Sequence, residues 1–149
     1  MSLTAYKSKR TLKGPKASGE PEAEIKSSKK GNIFVIQEHN ASHLHWDLRL
    51  EMEGVLKSWA LPKSPPEDTK TKRLAIQVED HPLDYATFHG EIKEGYGKGI
   101  VKIYDKGTYE LLKKNLKEIE ININGKKLKG RYVLIKTGYV KNGWLFMKI

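Results

Sequence analysis

From residue 31 onward, large apolar side chains recur at alternate positions in short runs separated by Gly, Pro, Asn and Asp, the period of half-buried strands rather than of helices. Strands are predicted at "IFVIQEH", at "HWDLRLEM" and "VLKSWALP" on either side of Glu53-Gly54, at "RLAIQVED", at "GIVKIYD", and on either side of Asn124-Gly125 and Asn142-Gly143. Each X-Gly pair marks a tight hairpin, and Asn-Gly suits the positive φ angles of a type I′ turn. "SPPEDTKTK" reads as a surface loop, "PLDYATF" as one short helix begun by its proline, and "YELLKKNLKE" fits either strand or helix. About eight strands with little helical periodicity predict an all-β fold with minor helix. An antiparallel β-barrel, closed or nearly closed, is the economical arrangement, because closure removes exposed strand edges.

Residues 1–30 break this pattern. They carry eight Lys/Arg against three Glu, a net +5, with almost no large apolar side chains, and cannot bury enough surface to offset the entropy of ordering them. They are predicted to form a flexible, disordered basic tail ahead of a single domain at 31–149.

The charge sharpens the picture. With 28 basic and 18 acidic side chains in 149 residues, the net +10 suggests a polyanionic partner, either nucleic acid or an anionic membrane surface. The chain has no cysteine, which excludes disulfides and thiolate ligands, so any metal must be held by nitrogen and oxygen. No apolar run approaches the length of a membrane span, and a soluble, cytoplasmic monomer is expected.

Alternation then gives one short stretch a meaning. "EHNASHLHWDLRLE" holds three of the five histidines, and in a strand His45, Asp47, Arg49 and Glu51 share one face while Trp46, Leu48 and Leu50 share the other. A two-residue turn at Glu53-Gly54 pairs Leu48 with Trp59, Arg49 with Ser58 and Asp47 with Ala60, leaving space beside the charged pair. His39 shares a face with Gln37, and the short "NASH" connection returns the chain so that His39 nears His45. In "RLAIQVEDHP" the same parity puts Arg73, Gln77, Glu79 and His81 on one face and Leu74, Ile76 and Val78 on the other. The expected surface therefore gathers imidazoles, an aspartate and two guanidiniums instead of the Lys, Glu and Thr of a solvated sheet. Two imidazoles and a carboxylate suit a divalent ion with open positions, and guanidiniums match phosphate oxygens. Gln37 and Glu79 are candidates for fixing imidazole tautomers. The composition does not choose the ion.

Other arrangements fit less well. The glutamate that a cupin places four or five residues after a His-x-His pair is absent, since Arg49 and Leu50 stand there. His43 is assigned to the turn and His89 to a structural or solvated position. Trp46 and Trp59 fall on the apolar face, as core residues rather than base-stacking platforms.

Three stretches, "FVIQEHNASHLHWDLRLEMEGVLKSWALPKSP", "KRLAIQVEDHPLDYATFHGEI" and "EGYGKGIVKIYDKGTYE", with a terminal "GRYVLIK…WLFMKI", resemble the phosphoesterase domain of bacterial and archaeal DNA ligase D over about residues 31 to 149. The resemblance implies a manganese-dependent barrel, with cobalt or zinc as alternative ions, that removes 3′ phosphates and 3′ ribonucleotides from DNA or primer-template ends. A 3′ hydroxyl is left for repair, with a DNA ligase or polymerase of the same system as partner. It implies metal ligands at His39, His45 and Asp47, phosphate-binding residues at Arg49, Arg73 and His81, and a further active-site residue at Tyr85. His81 is then either a phosphate donor or the general acid for the leaving oxygen. The pattern departs at the N-terminus: Arg10 is kept, but Thr11 and Lys16 stand where the family carries carboxylates that assist ribonucleoside removal, which implies a weaker diesterase step. The competing reading is a non-catalytic nucleic-acid-binding β-barrel.

Overall fold

The computed structural model describes residues 32–93 and 98–149. The predicted tail, with Arg10, Thr11 and Lys16, lies outside the described residues. Among the described residues nine strands follow one another: β1 (Asn32–Asn40), β2 (Leu44–Met52), β3 (Val55–Leu61), β4 (Lys72–His81), β5 (Gly90–Ile92), β6 (Gly99–Lys114), β7 (Glu118–Asn124), β8 (Lys129–Lys136) and β9 (Gly143–Lys148). They form one antiparallel sheet in the order β1-β2-β3-β4-β9-β8-β7-β6-β5, and β1 also pairs with β6. That last pairing closes an eight-stranded barrel and leaves the three-residue β5 beside β6. Among the described residues no helix is long and apolar enough to cross a membrane.

The barrel interior holds the predicted apolar faces. Phe34 and Ile36 of β1, Leu48 and Leu50 of β2, Trp59 and Leu61 of β3, Tyr132 and Leu134 of β8, and Trp144 and Phe146 of β9 are all buried in one cluster, with Trp46 packed against it. Each fully buried side chain of this size contributes roughly 1.5–3 kcal/mol. All three tryptophans thus serve the core, Trp59 and Trp144 meeting edge to face at 6.1 Å. The ambiguous "YELLKKNLKE" is strand as far as Lys114, because β6 runs on to pair with β7.

The turns divide. Glu53 and Gly54 have φ of 56° and 82°, as the tight hairpin requires, and Met52 pairs with Val55. Asn142 also takes a positive φ, 61°, but it sits within a six-residue connection, since β8 ends at Lys136 and β9 begins at Gly143. The Asn124-Gly125 expectation is corrected: neither residue has positive φ, and a four-residue loop separates Asn124 from its partner Lys129. That loop is organised by the buried Asp105, whose carboxylate accepts the backbone N–H of Lys126, Lys127 and Leu128 at 2.8–3.0 Å. Gly125 is needed there for room, because a Cβ would stand 2.5 Å from Asp105 Oδ2.

"PLDYATF" forms a 3-10 helix, Leu83–Thr87, behind Pro82. It lies on the outside of the barrel, where Leu83, Tyr85 and Ala86 pack with Ile33, Val35, Leu56 and Ile103 in a second apolar cluster. The outer face of β1, β2 and β3 is therefore partly roofed, and the polar residues of β2 lie beside that roof.

Candidate active site

Register decides which side chains meet. Gln37 pairs with Asp47, which pairs with Ala60; His39 pairs with His45; Val35 pairs with Arg49, which pairs with Ser58. Directly paired residues share a face, so His39, His45, Asp47 and Arg49 stand together outside the barrel, as their alternation with core residues predicts. The pairings of Arg49 with Ser58 and of Asp47 with Ala60 are those expected from the Glu53-Gly54 turn.

Asp47 is the junction. Its Oδ2 lies 3.3 Å from His45 Nε2, 3.7 Å from His39 Nδ1 and 3.4 Å from Arg49 Nη2. Burial pushes its carboxyl up, but the hydrogen bond from His45 and the positive charge of Arg49 outweigh burial and hold it below the ordinary carboxylate value. The same hydrogen bond raises His45 against a smaller opposing effect of burial. His45 Nδ1 is 3.1 Å from the backbone carbonyl of His43, so Nδ1–H donates there and the ring presents Nε2 to Asp47. The His43 side chain itself is exposed.

These three residues fit a metal ion. Their ligand atoms converge within 4.8 Å of one another, and bonds of about 2.1 Å to one ion require donor separations of roughly 3–4 Å. The distances from Asp47 Oδ2 to both imidazoles already fall in that range. Two imidazoles and one carboxylate on one side of an ion leave its other positions for water or substrate oxygens.

Beside them Arg49 is held on every edge. Its Nε donates to Gln37 Oε1 at 2.6 Å, its Nη1 to Ser58 Oγ at 2.8 Å, and its guanidinium stacks over the Tyr85 ring at 4.9 Å. Gln37, fully buried, sends its Nε2 to the carbonyls of Tyr85 and Phe88 at 2.8 and 3.0 Å. It thus ties the guanidinium to the 3-10 helix, whereas the sequence predicts that it fixes an imidazole. Tyr85 in turn meets the His81 ring at 5.0 Å and stacks on Phe88 at 5.0 Å. Burial raises the phenol, with the Arg49 charge opposing.

His81 arrives by a route that alternation does not reveal. Leu56 pairs with His81 but Ser58 pairs with Val78, so two residues of β4 oppose one of β3. This bulge reverses the parity of β4, and the single face predicted for Arg73, Gln77, Glu79 and His81 does not exist. Arg73 pairs with the core residue Phe146, on the barrel side of β4, and its Nε bonds the Ser64 carbonyl. Gln77 accepts from Trp144 Nε1 at 3.1 Å. Glu79 is exposed and contributes its carbonyl, 3.1 Å from His81 Nδ1. His81 alone turns outward, its Nδ1 also 3.2 Å from Arg49 Nη1. Burial, reinforced by the Arg49 charge, pushes its pKa down to about 4, so the ring is neutral near pH 7. His89 is exposed and takes no part in the cluster. Ser58 was named in the sequence only as a small neighbour, yet its hydroxyl anchors the guanidinium.

Comparison with known proteins gives the arrangement a lineage. The sequence profile described as the DNA ligase D 3′-phosphoesterase domain matches residues 37–136. The chain belongs to that family. It is 52% identical over 112 residues to the multifunctional non-homologous end joining DNA repair protein LigD of Mycobacterium tuberculosis, covering 72% of this chain and 15% of that protein. It is 45% identical over 150 residues to LigD of Mycolicibacterium smegmatis, covering 91% and 19%, and 46% identical over 123 residues to LigD of Pseudomonas aeruginosa, covering 77% and 15%. The chain spans less than a fifth of the length of these relatives. The matched region contains the polar site residues His39, His45, Asp47, Arg49 and His81 together with Gln37, Ser58 and Tyr85.

Proposed function

We propose that this chain is a metal-dependent phosphoesterase of the DNA ligase D family that heals DNA 3′ ends, removing 3′ phosphates and, more slowly, 3′ ribonucleotides to leave a 3′ hydroxyl. The observation that carries this reading is the position of Asp47 Oδ2, within 3.3–3.7 Å of two imidazoles and a buried guanidinium. A metal-ligand set and an anion clamp sharing one carboxylate fit a phosphoester better than a solvated sheet face.

His39, His45 and Asp47 hold the ion in this reading, with manganese as the expected metal and cobalt or zinc as alternatives. Bound there, a divalent ion acts as a Lewis acid toward a phosphate oxygen and an activator of water. The remaining work falls to the chain. Arg49, immobilised by Gln37, Ser58 and Tyr85, presents its Nη2 edge, beside Asp47, to a phosphate oxygen without reorganising as charge shifts. His81 Nδ1 can accept from Arg49 or donate to the Glu79 carbonyl, but one tautomer cannot do both. Accepting from Arg49 leaves the proton on Nε2, which makes the neutral ring a phosphate donor; its low pKa disfavours a general acid that is charged before substrate arrives. Tyr85 supports both groups. The net positive charge of the chain favours approach to a DNA end.

The test uses a primer-template ending in a 3′ phosphate, a panel of divalent ions and a chelator. Appearance of the 3′ hydroxyl with manganese, and its loss in chelator, is expected. DNA binding that survives chelator without any turnover would establish the non-catalytic barrel instead.

A further inference from the structure

The outer cluster has two flanks, and they differ. Across the sheet, residues follow in rows: Val35, Arg49, Ser58 and Val78 in one, and Ile103, Gln37, Asp47, Ala60, Ile76 and Gly143 in the next. On the β1 side the rows run under the 3-10 helix, which buries Val35 and packs on Ile103. On the β3–β4 side they run out over Ala60, Ile76 and Val78. Ala60 and Ile76 are partly exposed and Val78 is 37% exposed. Ahead of the bulge, regular alternation leaves Ile76 and Val78 outside the barrel, on the opposite face from the inward Ala75 and Gln77.

Among the described residues the three side chains of this flank, Ala60, Ile76 and Val78, are uncharged, although they adjoin a cluster built for anions. A neighbouring phosphate would call for Lys or Arg. The part of a 3′ phosphoester attached to the phosphate through its 3′ oxygen is an uncharged nucleoside. Ile76 and Val78 lie two strands from Asp47 and Arg49, on the order of 10 Å, with the small, partly exposed Ala60 between Asp47 and Ile76.

We propose that Ala60, Ile76 and Val78 form the nucleoside subsite, receiving the sugar and base of the terminal nucleotide whose phosphate lies against Arg49. This rests on the phosphoesterase reading. The subsite grips by apolar contact, so it is tolerant of base identity.

The test is steady-state kinetics with a 3′-phosphorylated primer and manganese, together with inhibition by inorganic phosphate, for wild type, Val78→Thr and Ile76→Thr/Val78→Thr. Threonine keeps the β-branched shape that suits a strand while replacing a methyl of Val78, or the ethyl arm of Ile76, by hydroxyl. The KM of the primer is expected to rise about threefold to tenfold in the double variant and less in the single one, below the roughly tenfold or more per methylene of an enclosed pocket because this flank is open to solvent. The inhibition constant of phosphate, which reads the clamp alone, is expected to stay near wild type. Primer KM values equal to wild type in a folded Val78→Thr and double variant would overturn the subsite while leaving the hydrolase intact. A parallel change in primer KM and phosphate inhibition would also overturn it, because the substitutions would then be acting on the clamp. Absence of wild-type turnover with every ion would overturn the phosphoesterase reading itself, and the subsite with it.

Discussion

Asp80 and Lys57 form an ion pair at 3.0 Å on the bulge that brings His81 to Arg49. Lys57 is the one β3 residue between Leu56 and Ser58, the two whose partners define the irregularity, and Asp80 is buried immediately before His81. The pair therefore pins the extra residue of β4 on which the outward turn of His81 depends.

Asp80→Ala is expected to destabilise the fold by about 2 kcal/mol, less than a fully buried pair because Lys57 is partly exposed. It should also lower turnover through misplaced His81. Urea unfolding and 3′-phosphate hydrolysis measure the two effects. Unchanged activity in a destabilised but folded variant would separate the bulge from the site.

Arg49→Lys is expected to reduce turnover on a 3′ phosphate by about a hundredfold or more, since an ammonium cannot meet Gln37, Ser58 and a phosphate in one plane. Initial rates at saturating manganese decide it, and a rate near wild type would exclude a guanidinium clamp.

The strands β1 to β3 were readable because nothing interrupts their alternation from the core. The side-chain period of two and the Glu53-Gly54 turn fix every pairing between Asp47 and Ala60 or Arg49 and Ser58. β4 was not readable beyond Val78, because a bulge inserts one residue with no local sequence mark, and everything after it changes face. Arg73 was assigned with His81 on the same parity and instead pairs with Phe146. Asn124-Gly125 was misread for a related reason: Gly125 answers to a carboxylate contributed by a distant strand, and no local turn preference records Asp105. Gln37 is expected from the sequence to fix an imidazole, but its partners are a guanidinium and a helix, visible only once the 3-10 segment folds over β1.

His43→Ala should retain most activity and metal affinity, because His43 contributes its backbone carbonyl to His45 and its imidazole is exposed. His45→Ala should lose both. Manganese titration by calorimetry beside hydrolysis rates checks the pair, and comparable losses would reassign the ligand to His43.

His81 should make the metal-free fold acid-sensitive. Its folded pKa of about 4 lies below the ordinary 6.5, so the unfolded chain binds more protons between those values. Stability from this group is therefore present above pH 6.5 and lost as the pH falls toward 4. In His81→Asn the denaturation midpoint should fall less steeply over that window than in wild type. Parallel pH profiles would show that the imidazole is not held neutral.

The most direct measurement is the rate at which a 3′-phosphorylated primer-template gains a 3′ hydroxyl in manganese, for wild type and Asp47→Ala. Asp47 Oδ2 lies within 3.3–3.7 Å of both imidazoles and the guanidinium. Wild type is predicted to turn over only with metal, and Asp47→Ala to fall by about a thousandfold while remaining folded. Metal-dependent hydrolysis by Asp47→Ala at the wild-type rate would contradict the site.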